Sequence, residues 1–176
     1  MTPQEIARKC VDPLRTDDKA RVALGMKIES VGPATAMLRM TVRESMTNGR
    51  GTCRDGYIFA FADLTFAFAC NAYDQRCVAQ HCSIACLAPA REGKRLRAIA
   101  RERQRVGRNG VYDVATADET GAIIAELRSR RRSRGGEALR RKSQARFGPS
   151  PEVVIADWRS PDRRGRSLGT TSRRRL

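Results

Sequence analysis

Asp63 is the residue whose setting asks most of its chemistry. It sits inside the run YIFAFADLTFAFACN, and its neighbours three and four positions away are Phe59, Ala60, Phe66 and Ala67. On a helix those positions share its face, so the carboxylate leaves the backbone among apolar side chains. Ionising it there costs several kcal/mol unless a partner compensates. The same desolvation raises its basicity, which suits a general base or a carboxylate nucleophile near neutral pH. A buried aspartate bonded to Thr65, to an arginine or to a backbone N–H accounts for the position equally well, so a second element must decide.

That element is the loop at residues 48–55. Asn48, Gly49 and Gly51 are turn formers that deliver the chain to the amino end of the same run. Unpaired backbone N–H groups and the positive end of the helix dipole favour developing negative charge there. An oxyanion formed from a thioester or ester carbonyl fits such a place. Asp63 lies about 12 Å further along, at about 1.5 Å per residue, too far to reach the same carbonyl within one protomer. Both groups act on one substrate only if two protomers pack side by side, so a dimer becomes part of the expected mechanism.

The elements that must position these groups are legible as periodicity. Residues 3–21 carry helically spaced Ile6, Ala7, Cys10, Val11 and Leu14, interrupted by Pro13, and predict a short amphipathic lead-in helix. Leu24, Met26 and Ile28 alternate with polar positions, and residues 34–42 alternate again after Gly32-Pro33, which predicts a hairpin. The Ala- and Leu-rich run from Gly56 is long and apolar almost all round, so it reads as a helix wrapped on several sides, with its phenylalanines in the core. Residues 77–87, 95–105, 110–116 and 122–130 then predict four antiparallel strands in series, joined by short Gly- and Pro-containing turns. The fold class is α+β, a curved antiparallel sheet wrapped around one long central helix.

The stretches NGRGTCRDGYIFAFADLTFAFACN, CVAQHCSIACLAPAREG, RERQRVGRNGVYDV and RSRRRSRGG together resemble a hot-dog-fold acyl-CoA thioesterase of the phenylacetate-degradation (PaaI) type, over about residues 4–136. The resemblance implies the hot-dog fold, homodimers with shared active sites and their pairing into homotetramers, and an aryl- or arylacetyl-CoA substrate such as hydroxyphenylacetyl-CoA. It implies Asp63 as the catalytic carboxylate and Asn48 as the group orienting the thioester carbonyl or the water. The N–H of Asp55 would polarise the carbonyl for the partner protomer. The family usually reads Cys-His-Gly-Gly on entering the helix, where this chain reads Cys53-Arg54-Asp55-Gly56. A carboxylate at position 55 beside a developing oxyanion repels it, and Arg54 is placed to neutralise it in part. Ala85 and Ala88 stand where the family has Asp and Arg. Arg105, Arg108 and the Asn109-Gly110 turn are candidates to meet the phosphates or the pantetheine arm of CoA, with Gly56 on the substrate side of the helix start. Thioester hydrolysis needs no metal or organic cofactor, since the thiolate leaves readily.

Charge divides the chain. Of 35 basic and 19 acidic residues, residues 128–176 hold 16 and 4, which leaves a net of only +4 on residues 1–127 out of +16 overall. Residues 137–176 form an Arg-, Ser-, Gly- and Pro-rich tail of disordered composition that is able to bind polyanions non-specifically. A basic nucleic-acid-associated protein, or a catalytically impaired hot-dog protein, is therefore the alternative reading. The six cysteines form no CxxC pair and His81 is the only histidine, so zinc is not expected. The longest apolar run is too short to cross a membrane, nothing resembles a secretory signal, and a cytoplasmic location with reduced thiols is expected.

Overall fold

The structure, a computed structural model, describes residues 1–134; the tail expected over residues 137–176 lies outside the described residues. Thr2 opens the chain's first helix, α1 (Pro3–Asp17), through a reciprocal capping box with Glu5. Pro13 does not end this helix as expected. The helix runs on to Asp17, with Ala7, Cys10 and Val11 buried beneath it. Burial of that stripe outweighs the single intrahelical bond a proline removes. A second short helix, α2 (Lys19–Ala23), follows at once.

The hairpin comprises β1 (Lys27–Gly32) and β2 (Thr35–Thr41). Leu24, expected in the first strand, instead caps α2, and β1 begins three residues later. The 3-10 turn Glu44–Met46 leads into α3 (Asp55–Cys70), which is followed by β3 (Cys77–Cys86), β4 (Arg95–Val106), β5 (Asn109–Asp118) and β6 (Ile123–Ser133). All six strands form one antiparallel sheet in the order β1-β2-β4-β5-β6-β3.

The helix α3 crosses the concave face of this sheet and packs on β2, β4, β5, β3 and β6. Small residues on both sides let it lie close: Ala36, Ala98 and Ala100 from the strands meet a helix that buries Ala62 and Ala69. Phe61, Phe66 and Phe68 fill the remaining space, and Phe66 meets the Tyr112 ring edge-on at 5.4 Å. Each such ring contributes about 2–3 kcal/mol of burial. Phe59 departs from the expectation that all these phenylalanines are core. It is 36% exposed, because it shares with Ala60, Asp63 and Ala67 a helix face that the chain's own sheet covers only in part.

One connection corrects the expected series of short turns. Strand β3 lies at the far edge of the sheet beside β6, so the segment between β3 and β4 crosses the end of the sheet rather than forming a hairpin. The N–H groups of Leu87 and Ala88 donate to the Ile124 carbonyl, and the Ala90 carbonyl accepts from the Cys53 N–H at 2.7 Å. This crossing ties the end of the sheet to the loop that starts α3.

Candidate active site

Asn48 builds that loop from within. Its Oδ1 accepts from the N–H of Arg50 at 2.9 Å, from the N–H of Thr52 at 3.3 Å and from the Thr52 hydroxyl at 3.0 Å. The Asn48 N–H donates to the Thr52 carbonyl, and Gly51 takes a φ of +70° that closes the turn. Among the described residues the Asn48 Nδ2 makes no hydrogen bond, and Asn48 lines a cavity of about 950 Å³. Arg54, Asp55, Gly56, Cys86 and Ala88 line the same cavity.

The amino end of α3 opens onto this space. Arg54 is its N-cap in extended conformation, with no side-chain cap, and the Arg54 N–H donates to the Met46 carbonyl. The next two N–H groups, of Asp55 and Gly56, have no acceptor among the described residues. They are the orphan donors of a helix start, aimed where negative charge is favoured. A Cβ built on Gly56 meets nothing within 4 Å, so the backbone there borders open space. Burial pushes the Cys86 thiol above its ordinary value, and the charge of the nearby Asp55 carboxylate adds to the effect. No ion pair joins Arg54 to Asp55 among the described residues, contrary to the expected neutralisation.

Asp63 lies two turns further along α3, half-buried, on the partly open face beside Phe59 and Ala60. Burial holds its carboxyl above the ordinary value, and a hydrogen bond from the Cys82 thiol of β3, at 3.8 Å, offsets part of that rise. It does not line the cavity at the start of its own helix. Cys82 is a partner that sequence reasoning missed, because the register of α3 against β3 is set by tertiary packing alone.

The remaining candidates stand elsewhere. Gly110 pairs with Arg131 of β6, and Arg131 pairs in turn with Ala79, seven residues before the cavity-lining Cys86. That places the β4-β5 hairpin about 20 Å along the sheet from the cavity of the same chain. Arg105 stacks on the Tyr73 ring at 4.3 Å and stands 3.9 Å from Glu102. Arg108 donates to the Ser133 carbonyl at 3.0 Å, and Asn109 begins β5 opposite Val106 and Arg132. Gly110 is a strand residue whose absent Cβ makes room for a neighbour: a Cβ there would come within 2.9 Å of Arg131 Nε.

No protein-family model matches the chain. Among curated proteins it is 35% identical over 120 residues to the acyl-coenzyme A thioesterase PaaI of Escherichia coli K12, covering 68% of this chain and 86% of that protein. The chain belongs to the hot-dog thioesterases of the PaaI type. The structure of the E. coli PaaI protein superposes with a TM-score of 0.75 at 32% identity, over 77% of this chain and 99% of that one. The TT0310 protein of Thermus thermophilus matches at a TM-score of 0.64 and 30% identity, over 66% of this chain and 98% of that one. The α+β architecture, with its six-stranded antiparallel sheet around a helix, is the hot-dog fold of this group. None of the helices among the described residues is long and apolar enough to cross a membrane.

Proposed function

We propose that this PaaI-type thioesterase hydrolyses acyl-CoA thioesters, with aryl- or arylacetyl-CoA as the substrate class, in a site shared by two copies of the chain. The observation that carries the reading is the pair of open N–H donors, at Asp55 and Gly56, on a cavity large enough for an acyl group, in a chain whose desolvated carboxylate lies too far along the same helix to reach them. Two further features support a shared site. Among the described residues strand β3 is an edge strand with β6 as its single neighbour, and the Phe59-Ala60-Asp63-Ala67 face beside it is only partly covered. A second copy packed there buries the apolar part of that face and brings its own loop toward Asp63.

In this arrangement the thioester oxygen accepts from the Asp55 N–H of one copy, and Asn48 Nδ2 orients the carbonyl or the attacking water. Asp63 of the other copy activates that water, or attacks the carbonyl itself. The oxyanion is stabilised at the helix start, the tetrahedral species collapses, and the CoA thiolate leaves without needing a strong acid. Arg105, Arg108, Asn109 and Gly110 meet the CoA end only if the β4-β5 hairpin of a neighbouring copy reaches the cavity. The aryl preference rests on the E. coli PaaI protein, which belongs to the phenylacetic acid degradation operon, and on the aromatic and apolar residues Phe59 and Tyr57 near the start of α3. Thiol release from a panel of aliphatic, benzoyl and phenylacetyl CoA thioesters tests it: turnover fastest with the aryl members supports the reading, and absence of turnover with all of them overturns it.

A further inference from the structure

At the opposite end of α3 from the cavity lies a cluster that thioester hydrolysis does not use. Arg131 of β6 is fully buried, yet none of the ion pairs among the described residues involves it. Its Nη1 donates to Cys77 Sγ at 2.6 Å and to Gln75 Oε1 at 3.4 Å, while Nε and Nη2 are buried without a hydrogen bond. A buried guanidinium with no ion pair is costly; the Tyr73 ring lies 5.9 Å from it, and the group facing it most closely is a sulfur. A thiolate there supplies the missing countercharge.

Cys70, the last residue of α3, completes the arrangement. Its Sγ donates to the Ala67 carbonyl at 3.6 Å, and Asn71 ties the two cysteines together: Asn71 Nδ2 donates to Cys70 Sγ at 3.4 Å, and its Oδ1 accepts from the Cys77 N–H at 3.0 Å. We propose that Cys77 is a hydroperoxide-reactive thiolate held by the buried Arg131 guanidinium, and that Cys70 is the resolving thiol that converts it to an intramolecular disulfide. The titration agrees with the geometry. Hydrogen bonding from Cys70 first, then the Arg131 charge, pulls the Cys77 thiol down to about 7 against the effect of burial. Cys70 moves the opposite way, raised by its bond to Cys77 and by burial, so it stays protonated and is suited to resolving rather than to first attack. Cys77 is only partly buried, whereas Cys70 is enclosed, which gives a small oxidant access to the correct sulfur.

The chemistry balances with a hydroperoxide as oxidant. The Cys77 thiolate attacks a peroxide oxygen, forming an S–O bond and breaking O–O. Sulfur is oxidised to sulfenic acid, and the departing oxygen is reduced to hydroxide or alkoxide, which takes a proton from water. The Cys70 sulfur then attacks the Cys77 sulfur, the S–S bond forms, S–O breaks, and hydroxide leaves with the Cys70 proton as water. This inference is independent of the thioesterase reading.

Treating the full chain with hydrogen peroxide, followed by intact mass and peptide mapping, tests it. The mass should fall by two hydrogens with residues 70 and 77 cross-linked, Cys77→Ser should abolish the cross-link, and Cys70→Ser should leave a sulfenic acid at residue 77 that dimedone traps. The oxidation rate should rise about tenfold from about pH 6 to about pH 8 and flatten above it, as a thiol titrating near neutrality requires. First oxidation at the exposed Cys86, or a rate that climbs about a hundredfold over the same range without flattening, overturns the proposal.

Discussion

Replacing Asp63 with Asn keeps the volume and most of the polarity but removes the charge, so it separates chemistry from packing. Thiol release from a CoA thioester should fall by about 10²- to 10⁴-fold in Asp63→Asn with the fold intact, the range a positioned base or nucleophile supplies. The carboxylate must be ionised to act, and burial raises its pKa. Activity should therefore decline on the acid side at a pH above the ordinary carboxylate value of about 4, and a decline that begins only below about 4 would place Asp63 in bulk water. Asp55 is the opposite case, a charge where the chemistry disfavours one. Asp55→Gly should raise the hydrolysis rate by about fivefold, the effect of removing roughly 1 kcal/mol of like-charge repulsion near a developing oxyanion, and an unchanged rate would show that the Asp55 carboxylate is turned away from the oxyanion. Asp63 is conspicuous in the sequence because a charge inside an apolar helix contradicts the local pattern. Cys82 and Cys86 give no such signal, since a thiol in a strand reads as ordinary packing until the strand is set against the helix.

At the scale of elements, the close fit of α3 to the sheet depends on small residues whose roles differ. Gly107 and Gly110 look alike in sequence as one turn, yet Gly107 has φ +55° while Gly110 is a flat strand residue under the Arg131 side chain. Gly110→Ala should lower stability by about 1–3 kcal/mol, read as a drop in thermal midpoint, because the added methyl must displace a buried guanidinium; a variant that melts with the native protein would contradict this packing. Strand extents and the central helix are readable because β5 and β6 alternate inward and outward and α3 is apolar all round. The strand order is not, since β3 leaves α3 for the far edge of the sheet and nothing local marks the crossing at residues 87–90. Pro13 misleads for a related reason: the buried stripe beneath α1 is a tertiary contact that outvotes a local breaker.

For the molecule as a whole, residues 137–176 hold 11 basic and 4 acidic residues, so one cut after Gly136 removes +7 of the net +16. Truncation after Gly136 should leave thioester hydrolysis unchanged and remove binding to a polyanion such as heparin at low salt; loss of hydrolysis would instead tie the tail to the enzyme. The central claim is that one copy's helix start and the other's Asp63 act on one thioester. Proline is tolerated at the first position of a helix, and Arg54 before it is already extended, so Asp55→Pro deletes the proposed oxyanion donor without breaking a hydrogen bond among the described residues. Alone, Asp55→Pro and Asp63→Asn should each be impaired by about a hundredfold or more. Mixed in equal amounts under subunit exchange, they should recover about a quarter of native activity, because half of the dimers then carry one intact site. Exchange without any recovery would contradict a site built from two chains.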